Sequence, residues 1–260
     1  MDLGLRGKRA IVCGGSSGIS RAAAHRLSNE GALVTLVART EATLAKAAEE
    51  IERETGTPVD YFAADLTSRE ERARLLADCP VADVLVANAG VPQRFASFQT
   101  LNKVEWDWWL EAHLFSALDL IYGYLPDMME RKFGRIVNVS ANFIKFPQVN
   151  TGHSHAARLA LAGAIAALVR EAAPHNVTIN SVLPGLIDTP ALRQALQQRA
   201  ESRGVPYDDV VAEVCQRTAA ARLSSAEEAG DLIVMFCAAQ MGYVTGQNIV
   251  NDGGAYQGLF

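Results

Sequence analysis

Side chains able to carry out acid–base or hydrogen-bond chemistry lie at two places in the sequence. Ser140 ends a strand-like run, and His153, Ser154, His155 and Arg158 lie together at the start of a helical pattern. A hydroxyl can hold a carbonyl oxygen, and an imidazole of pKa ~6.5 can carry a proton near neutral pH. A guanidinium keeps its charge because it is not deprotonated in proteins. The set indicates chemistry at a polarised oxygen.

A second group suits a phosphate. The apolar run from Arg9 to Cys13 leads into a glycine-rich turn and then into helical spacing. Glycines at a strand-to-helix turn let the backbone approach a pyrophosphate, and the helix dipole stabilises its charge. The nucleotide-contacting loop is predicted to contain Gly14, Ser16, Ser17, Gly18 and Ile19.

Short β-branched runs alternate with longer helical patterns along the chain, which favours right-handed βαβ crossovers. The sequence therefore predicts an α/β fold, a doubly wound, Rossmann-like parallel sheet in a single domain. The predicted strands are Arg9–Cys13, Leu33–Val37, Val59–Phe62, Val84–Val86, Ile136–Val139, Thr178–Val182 and Asn248–Val250.

The segment from about 190 to 222 departs from this rhythm. It holds two polar helical stretches hinged around Gly204, Val205 and Pro206. Excursions after a strand end are where α/β folds place substrate lids, and we expect a lid here. A packed surface hairpin is the alternative from the residues alone.

Composition bounds the classes of partner. The 260 residues are 49% hydrophobic, and 24 Lys and Arg against 29 Asp and Glu give a net charge of −5. No basic stripe is present, so nucleic acid is not expected as a partner. The longest apolar stretch, Leu159–Val169, is too short for a bilayer span, and the start lacks a signal-like core. We expect a soluble, cytoplasmic protein without membrane contact.

Cysteine usage points away from disulfides and zinc. Cys13, Cys79, Cys215 and Cys237 are scattered without a C-x-x-C pair. Scattered thiols in a chain of this length are expected to be buried small hydrophobes.

Five motifs in register over nearly the whole chain resemble the short-chain dehydrogenase/reductase family. The glycine turn is similar to the family's T-G-x-x-x-G-x-G loop. The other motifs are Asp65-Leu66-Thr67, Asn88-Ala89-Gly90, Pro184-Gly185 with Thr189, and Thr245-Gly246 with Asp252-Gly253-Gly254. The resemblance implies that Asp65 and Leu66 lie near adenine, and that Pro184, Gly185 and Thr189 lie beside nicotinamide.

Two positions of the glycine turn depart from this family. Cys13 stands where the family usually has Thr, and Ser20 where it has the last Gly. We expect the first helix to lie slightly further from the sheet and the nucleotide to bind more weakly.

The end of the second strand bears on the choice of cofactor. An acidic residue there would accept hydrogen bonds from the ribose 2′-hydroxyl of NAD, but this sequence has Ala38 and Arg39. A guanidinium suits a 2′-phosphate. The sequence predicts NADP(H), with a solvated surface charge as the alternative for Arg39.

The family's catalytic set is altered in this chain. Relatives use a Ser, a Tyr-x-x-x-Lys pair and an upstream Asn, in which the phenol transfers the proton while nicotinamide moves a hydride. Ser140 is kept. The register places Ser154 at the Tyr position, Arg158 at the Lys position and His113 at the Asn position. Neither Ser154 nor Arg158 readily delivers a proton, so the usual relay is not available.

A histidine is the candidate replacement for the missing phenol. His153, predicted to lie immediately before the helix, is the preferred general acid, while His155 lies ~100° further round. The alternative is that His113, His153 and His155 are ordinary polar residues of a cleft. A zinc site made by these three is not expected, because no carboxylate or Cys lies near the pair in sequence.

Three functions remain open at this point. The leading one is an NADP(H)-dependent oxidoreductase that interconverts a carbonyl and a secondary alcohol, similar to 3-oxoacyl reductases, with an atypical acid–base set. The others are a non-redox lyase or a relative of the halohydrin dehalogenase type, and a nucleotide-binding protein without catalysis.

Aromatic residues near the cleft favour a hydrophobic or acyl-type substrate, with core or interface packing as the alternative. They are Phe95, Phe98, Trp106, Trp108, Trp109, Phe143 and Phe146, with Leu186 beside them. The resemblance also implies a homotetramer or homodimer formed through the helical segments Lys103–Arg131 and Ser154–Ala172.

Overall fold

The computed structural model describes residues 1–90 and 96–259 of the chain. They contain one seven-stranded parallel sheet in the order β3-β2-β1-β4-β5-β6-β7. The chain crosses over between β3 and β4, so that β1 and β4 are neighbours at the centre. The strands are β1 Arg9–Cys13, β2 Leu33–Ala38, β3 Val59–Ala63, β4 Val84–Ala87, β5 Gly134–Val139, β6 Val177–Pro184 and β7 Asn248–Asn251.

Nine α-helices of the described residues connect the strands. They are α1 Gly18–Asn29, α2 Glu41–Thr55, α3 Arg69–Asp78, α4 Lys103–Leu110, α5 Ser116–Glu130, α6 Gly152–Ala172, α7 Pro190–Arg203, α8 Tyr207–Cys215 and α9 Ala226–Cys237. Between α4 and α5 lies a π-helical turn, Glu111–Phe115, and short 3₁₀ turns occupy Asn142–Ile144, Ala173–His175 and Ala239–Met241.

Two apolar layers cover the sheet, which confirms the predicted α/β, doubly wound fold. One layer packs α1, α2 and α9 on one face, through residues such as Leu27, Leu44 and Ile233. The other packs α3, α5 and α6 on the opposite face. The central strands β4, β5 and β6 are buried along their whole length, because both faces of a parallel sheet are covered.

The predicted strand positions agree with the observed ones to within two residues at each end. The segment Lys103–Arg131 is helical from Lys103 to Glu130, with the π-helical turn inserted between α4 and α5. One expectation about helices is wrong. Helix α6 begins at Gly152, so His153 lies inside its first turn and not before it. Helix α9, which no prediction anticipated, packs against α1.

A buried ion-pair group holds the π-helical turn. Arg72 is only 2% exposed, and its guanidinium donates to the carbonyl of Leu66 at 2.8 Å, to Asp119 at 2.9 Å and to Glu111 at 2.5 Å. Removal of one partner from such a group leaves a buried charge uncompensated. Arg72 therefore ties the loop after β3 to the turn that carries His113.

The predicted excursion between 190 and 222 forms a helical hairpin. Helices α7 and α8 share a small apolar core that includes Leu196 and Val210. Outside it, Glu213 accepts hydrogen bonds from Arg199, Arg203 and Arg217. The hairpin is observed, and its role as a lid stays a prediction. None of the helices in the described part of the chain is both long and apolar enough to span a bilayer.

All four cysteines are free. Cys13 and Cys237 are fully buried, and burial raises the pKa of each thiol to about 12. These two are the inert buried hydrophobes that the sequence predicts, whereas Cys79 and Cys215 are half-buried.

Candidate active site

The carboxyl ends of the strands form one edge of the sheet, and the predicted site residues lie along it. The turn after β1 needs glycine, because Gly14 and Gly18 have φ of +68° and +59°. A Cβ on Gly14 would lie 3.2 Å from the side-chain nitrogen of Asn88, and one on Gly18 would lie 3.2 Å from the Thr189 methyl carbon. The turn therefore packs closely against the loops after β4 and β6.

An open pocket of about 580 Å³ lies over this turn. It is lined by Gly14, Ser16, Ser17, Val37, Ala38, Arg39, Thr40, Thr43, Ala64, Leu66, Ala89 and Gly90. Among the described lining residues, Arg39 is the one cation and there is no carboxylate. The chain's own residues thus fit a dinucleotide with an additional phosphate on the ribose.

Other predicted nucleotide residues organise the loops. Asp65 accepts hydrogen bonds from the Thr67 amide at 2.9 Å and hydroxyl at 2.8 Å. Asn88 donates to the buried Ser20 hydroxyl at 2.9 Å and accepts from the Gly90 amide at 3.0 Å. Ser20 is thus accommodated by a hydrogen bond that glycine could not make.

The residues predicted to lie beside nicotinamide come together at the same edge without lining the pocket. Thr189 caps α7 by accepting from the Leu192 amide at 3.2 Å. A Cβ on Gly185 would lie 2.5 Å from that of Asp252. Contacts of Ile19, Asp65, Pro184, Gly185 and Thr189 with a cofactor stay predictions.

A smaller pocket of about 250 Å³ adjoins the first at Ala89. Its lining brings together three of the predicted catalytic residues, Ser140, Arg158 and His113, from β5, α6 and the π-helical turn. The full lining is Ala87, Asn88, Ala89, Ala112, His113, Ser116, Ala117, Asn138, Val139, Ser140, Arg158 and Leu161.

Ser140 is positioned by the sheet. It follows directly after β5, and its amide donates to the Val182 carbonyl of β6 at 2.9 Å. Its buried hydroxyl has no hydrogen-bond partner among residues 1–90 and 96–259. The hydroxyl is therefore available to a group that enters the pocket.

Arg158 and Ser154 lie one helical turn apart on α6. The Arg158 Nε donates to Ser154 Oγ at 3.3 Å. Arg158 is half-buried as a whole, but its guanidinium lies deep enough that burial lowers its pKa to about 10. The side chain is still a cation at neutral pH. Ser154 is fully buried behind it and does not line the pocket.

The histidines surround Trp109, which is buried. The His113 ring stacks on Trp109 with centroids 5.3 Å apart, and the His153 ring lies 4.4 Å from Trp109 on a tilted plane. Burial, followed by the nearby charges of Arg158 and His153, lowers the pKa of His113 to about 2. His113 is therefore a neutral imidazole whose Nε2 has no hydrogen-bond partner in the part of the chain that the structure describes.

The predicted general acid does not reach the pocket. His153 is fully buried in the first turn of α6, and neither it nor His155 belongs to the pocket lining. The predicted position immediately before a helix that starts at Ser154 is thus wrong, because α6 starts at Gly152 and the His153 ring packs on Trp109. A role for His153 in proton transfer stays a prediction. No three His, Cys, Asp or Glu residues of the described ranges are grouped so that they could hold a metal.

Sequence reasoning gave no role to Asp252. Its carboxylate accepts from the amides of Gly254, Ala255 and Tyr256 at 3.0–3.1 Å and from Asn142 Nδ2 at 3.3 Å. It therefore fastens the carboxyl-terminal segment to the loop that follows Ser140. The sequence feature that indicates this role is the Asp252-Gly253-Gly254 motif, which is typical of a turn.

The aromatic residues proposed for the substrate divide between core and surface. Trp109 is buried, Phe98 is 81% exposed, and Phe146 stacks on Tyr256 with centroids 5.8 Å apart. Phe95 lies outside the described residues. The described aromatic residues therefore do not all lie on one surface that could contact a substrate.

Comparison with known proteins gives consistent results over nearly the whole chain. Residues 8–200 match the pattern of the family described as short chain dehydrogenase. The short-chain reductase protein NovJ of Streptomyces niveus is 32% identical over 255 residues, covering 94% of this chain and 92% of NovJ. The 3-oxoacyl-[acyl-carrier-protein] reductase FabG of Aquifex aeolicus is 28% identical, covering 98% of this chain and 100% of FabG.

Solved structures agree with the fold. The L-sorbose reductase of Gluconobacter frateurii, complexed with NADPH and L-sorbose, has a TM-score of 0.93 at 27% identity and covers 100% of both chains. A 3-oxoacyl (acyl-carrier-protein) reductase of Agrobacterium tumefaciens with NADP bound has a TM-score of 0.87 at 27% identity, covering 97% of this chain and 96% of that one.

The low pKa of His113 predicts a pH dependence of stability. In the unfolded state the His113 imidazole has a pKa of ~6.5. Below that pH the unfolded state therefore binds a proton at His113, whereas the folded state does not. The free energy of unfolding therefore falls on acidification. From about pH 6 to pH 4, we expect wild type to lose ~1–3 kcal/mol more than His113→Asn. Urea denaturation of both proteins between pH 6 and pH 4 measures these free energies of unfolding.

His175→Asn, in the turn after α6, is the control for removal of an imidazole elsewhere. Equal pH slopes for wild type and His113→Asn would contradict a neutral, buried His113.

Proposed function

The chain belongs to the short-chain dehydrogenase family, and from this premise we propose that it is an NADP(H)-dependent oxidoreductase that interconverts a carbonyl and a secondary alcohol. One observation carries the proposal. A glycine-lined pocket that fits a dinucleotide adjoins a second pocket that contains Ser140 and Arg158. A cofactor and a polarised carbonyl can therefore meet at Ala89, where the two linings join.

The preference for NADP(H) rests on charge. Arg39 follows β2 and lies in the pocket lining, where an acidic residue would favour the free ribose of NAD. A guanidinium forms charge-assisted hydrogen bonds with a phosphate. In support, the structures of L-sorbose reductase and of the Agrobacterium 3-oxoacyl reductase, both similar to this chain, contain NADPH and NADP.

The mechanism follows from the groups in the smaller pocket. When bound, the cofactor supplies or accepts the hydride. The Ser140 hydroxyl donates to the carbonyl oxygen, and the Arg158 cation stabilises the negative charge that develops there. Because Arg158 and Ser154 do not readily release protons, the proton comes from solvent or, as predicted from sequence, from the imidazole of His153.

One observation favours a nucleotide-binding protein without catalysis as the second candidate. Among the described residues that line the smaller pocket, His113 is the only imidazole, and its pKa of about 2 means that no imidazolium is present to act as an acid near neutral pH. Dehalogenase-type chemistry without a nucleotide is less well supported, because the glycine turn is intact.

Activity separates these candidates. Purified protein is expected to oxidise NADPH with at least one member of a panel of ketones, oxo esters and oxo acids, followed by the loss of NADPH absorbance. Ser140→Ala is expected to lower kcat/KM ~10²-fold by removing a donor to the developing oxyanion.

Thr57→Ala, which removes a hydroxyl from the loop between α2 and β3, is the matched control. NADPH binding without any turnover would support the non-catalytic candidate, and failure to bind NADPH would refute both nucleotide-dependent functions.

Cofactor choice is tested by binding. Wild type is expected to bind NADPH at least ~10-fold more tightly than NADH, because a hydrogen bond to a charged group contributes ~1.5–3 kcal/mol. Arg39→Asp should lose this preference, as measured by isothermal titration calorimetry. Arg53→Asp on the exposed side of α2 makes the same change of charge outside the pocket, and tighter binding of NADH by wild type would be the contrary result.

We also infer that the protein forms a homodimer or homotetramer through the face made by the π-helical turn, α5 and α6. Phe115, Tyr122 and Leu159 are 42%, 53% and 43% exposed on these elements. Exposed large apolar side chains on adjoining elements are typical of association surfaces. The small residues along α6 also permit close approach of a second helix.

Light scattering coupled to size exclusion tests this assembly. Wild type is expected to have a mass at least twice the 27.9 kDa of one chain, and Leu159→Glu should reduce it. Tyr61→Glu, also an exposed apolar residue but on the outermost strand β3, is the control. A monomeric wild type would exclude the assembly.

A further inference from the structure

The pocket beside Ser140 contains a positive charge that no described residue neutralises. Arg158 forms no ion pair with any carboxylate in residues 1–90 and 96–259, and its one hydrogen bond there goes to the neutral Ser154. The described residues that line the pocket include no Asp or Glu. A cation in such surroundings is costly unless an anion is supplied.

Two other deeply buried guanidiniums of this chain have ion-pair or carbonyl partners. Arg72 is paired with Glu111 and Asp119. Arg135, which is 1% exposed, donates to the carbonyl oxygens of Gly134, Asn176, Ala238 and Ala239 and to the Asn176 side chain. Among the deeply buried guanidiniums of residues 1–90 and 96–259, Arg158 is thus the exception, and it lines a pocket.

Two further groups in the same lining have no hydrogen-bond partner. They are Ser140 Oγ and His113 Nε2, both buried, with none found in the described ranges. A hydroxyl and a neutral imidazole can each donate a hydrogen bond. Together with Arg158 they form a set of polar groups around one space, from the residue after β5, from α6 and from the π-helical turn.

We propose that this pocket binds an anion and that the substrate is an oxo acid, whose carboxylate lies against Arg158 while its carbonyl oxygen meets Ser140. This rests on the proposed reductase function and adds the class of substrate. A carboxylate matches the planar fork of a guanidinium with two parallel hydrogen bonds.

The dinucleotide cannot take the place of this anion at the smaller pocket. The ribose hydroxyls next to nicotinamide accept hydrogen bonds but bring no negative charge, and an oxidised nicotinamide is itself a cation. The pyrophosphate belongs to the glycine turn. The substrate is then the remaining source of negative charge.

The first experiment needs no turnover. Binding of sodium formate and sodium acetate to the purified chain is measured by calorimetry, with acetamide as the neutral probe of similar shape. Wild type is expected to bind the carboxylates and not acetamide. Arg158→Gln should weaken carboxylate binding at least tenfold, Arg158→Lys should retain part of it, and Arg170→Gln, on the exposed side of α6, should retain all of it.

Carboxylate binding that is unchanged in Arg158→Gln, or absent from wild type, would overturn the proposal. Circular dichroism establishes that each variant is folded. Arg158→Lys keeps the test decisive if the glutamine variant is not folded, because a lysine lacks the planar fork of a guanidinium and should weaken formate and acetate binding while NADPH affinity stays unchanged.

The second experiment compares each oxo acid of the panel with its methyl ester. The ratio of kcat/KM for acid over ester is expected to exceed tenfold in wild type and to fall in Arg158→Gln. NADPH affinity, measured separately by calorimetry, distinguishes failure of the proposed reductase function from failure of the anion pocket. Failure to bind NADPH refutes the proposed function, whereas NADPH binding with turnover of esters over acids refutes only the anion pocket.

Discussion

A parallel sheet that is buried on both faces has to place the carboxyl ends of all its strands at one edge, and the candidate site depends on this constraint. Both faces of strands β4, β5 and β6 are enclosed by the two helical layers, so the chain reversals lie at the strand ends. Ser140 after β5 and the glycine turn after β1 meet because those strands are joined through β4.

Several residues at this edge organise the loops through side-chain hydrogen bonds. Asp65, Asn88 and Asp252 each use their side chains to hold backbone amides or hydroxyls of neighbouring turns. Short polar side chains can satisfy loop amides that no strand or helix pairs. The shape of the two pockets therefore depends on these hydrogen bonds. A motif residue can thus affect ligand affinity without contacting the ligand.

Electrostatics distinguishes the two pockets from each other. The larger one presents Arg39 and backbone amides, a set that attracts phosphate. The smaller one places Arg158 next to Ser140 and a neutral His113, so it can stabilise negative charge on oxygen but has no ready proton donor in its lining. In the proposed reaction, Arg158 and Ser140 of the pocket lining stabilise the negative charge. The proton comes from solvent or from His153, which lies outside that lining.

The sequence by itself determined the fold class and the positions of the strands, because hydrophobic periodicity and glycine turns are local properties of the chain. Ser140 and Arg158 are proposed as catalytic from the register of the family resemblance, and this role stays a prediction. The sequence did not reveal helix α9 or the π-helical turn, whose formation depends on packing against α1 and on the ion pairs of Arg72. Only the tertiary structure decided that His153 is buried on Trp109, that His113 is neutral and that Arg158 has no described carboxylate beside it. Burial and charge pairing arise from residues far apart in sequence, so spacing along the chain cannot specify them.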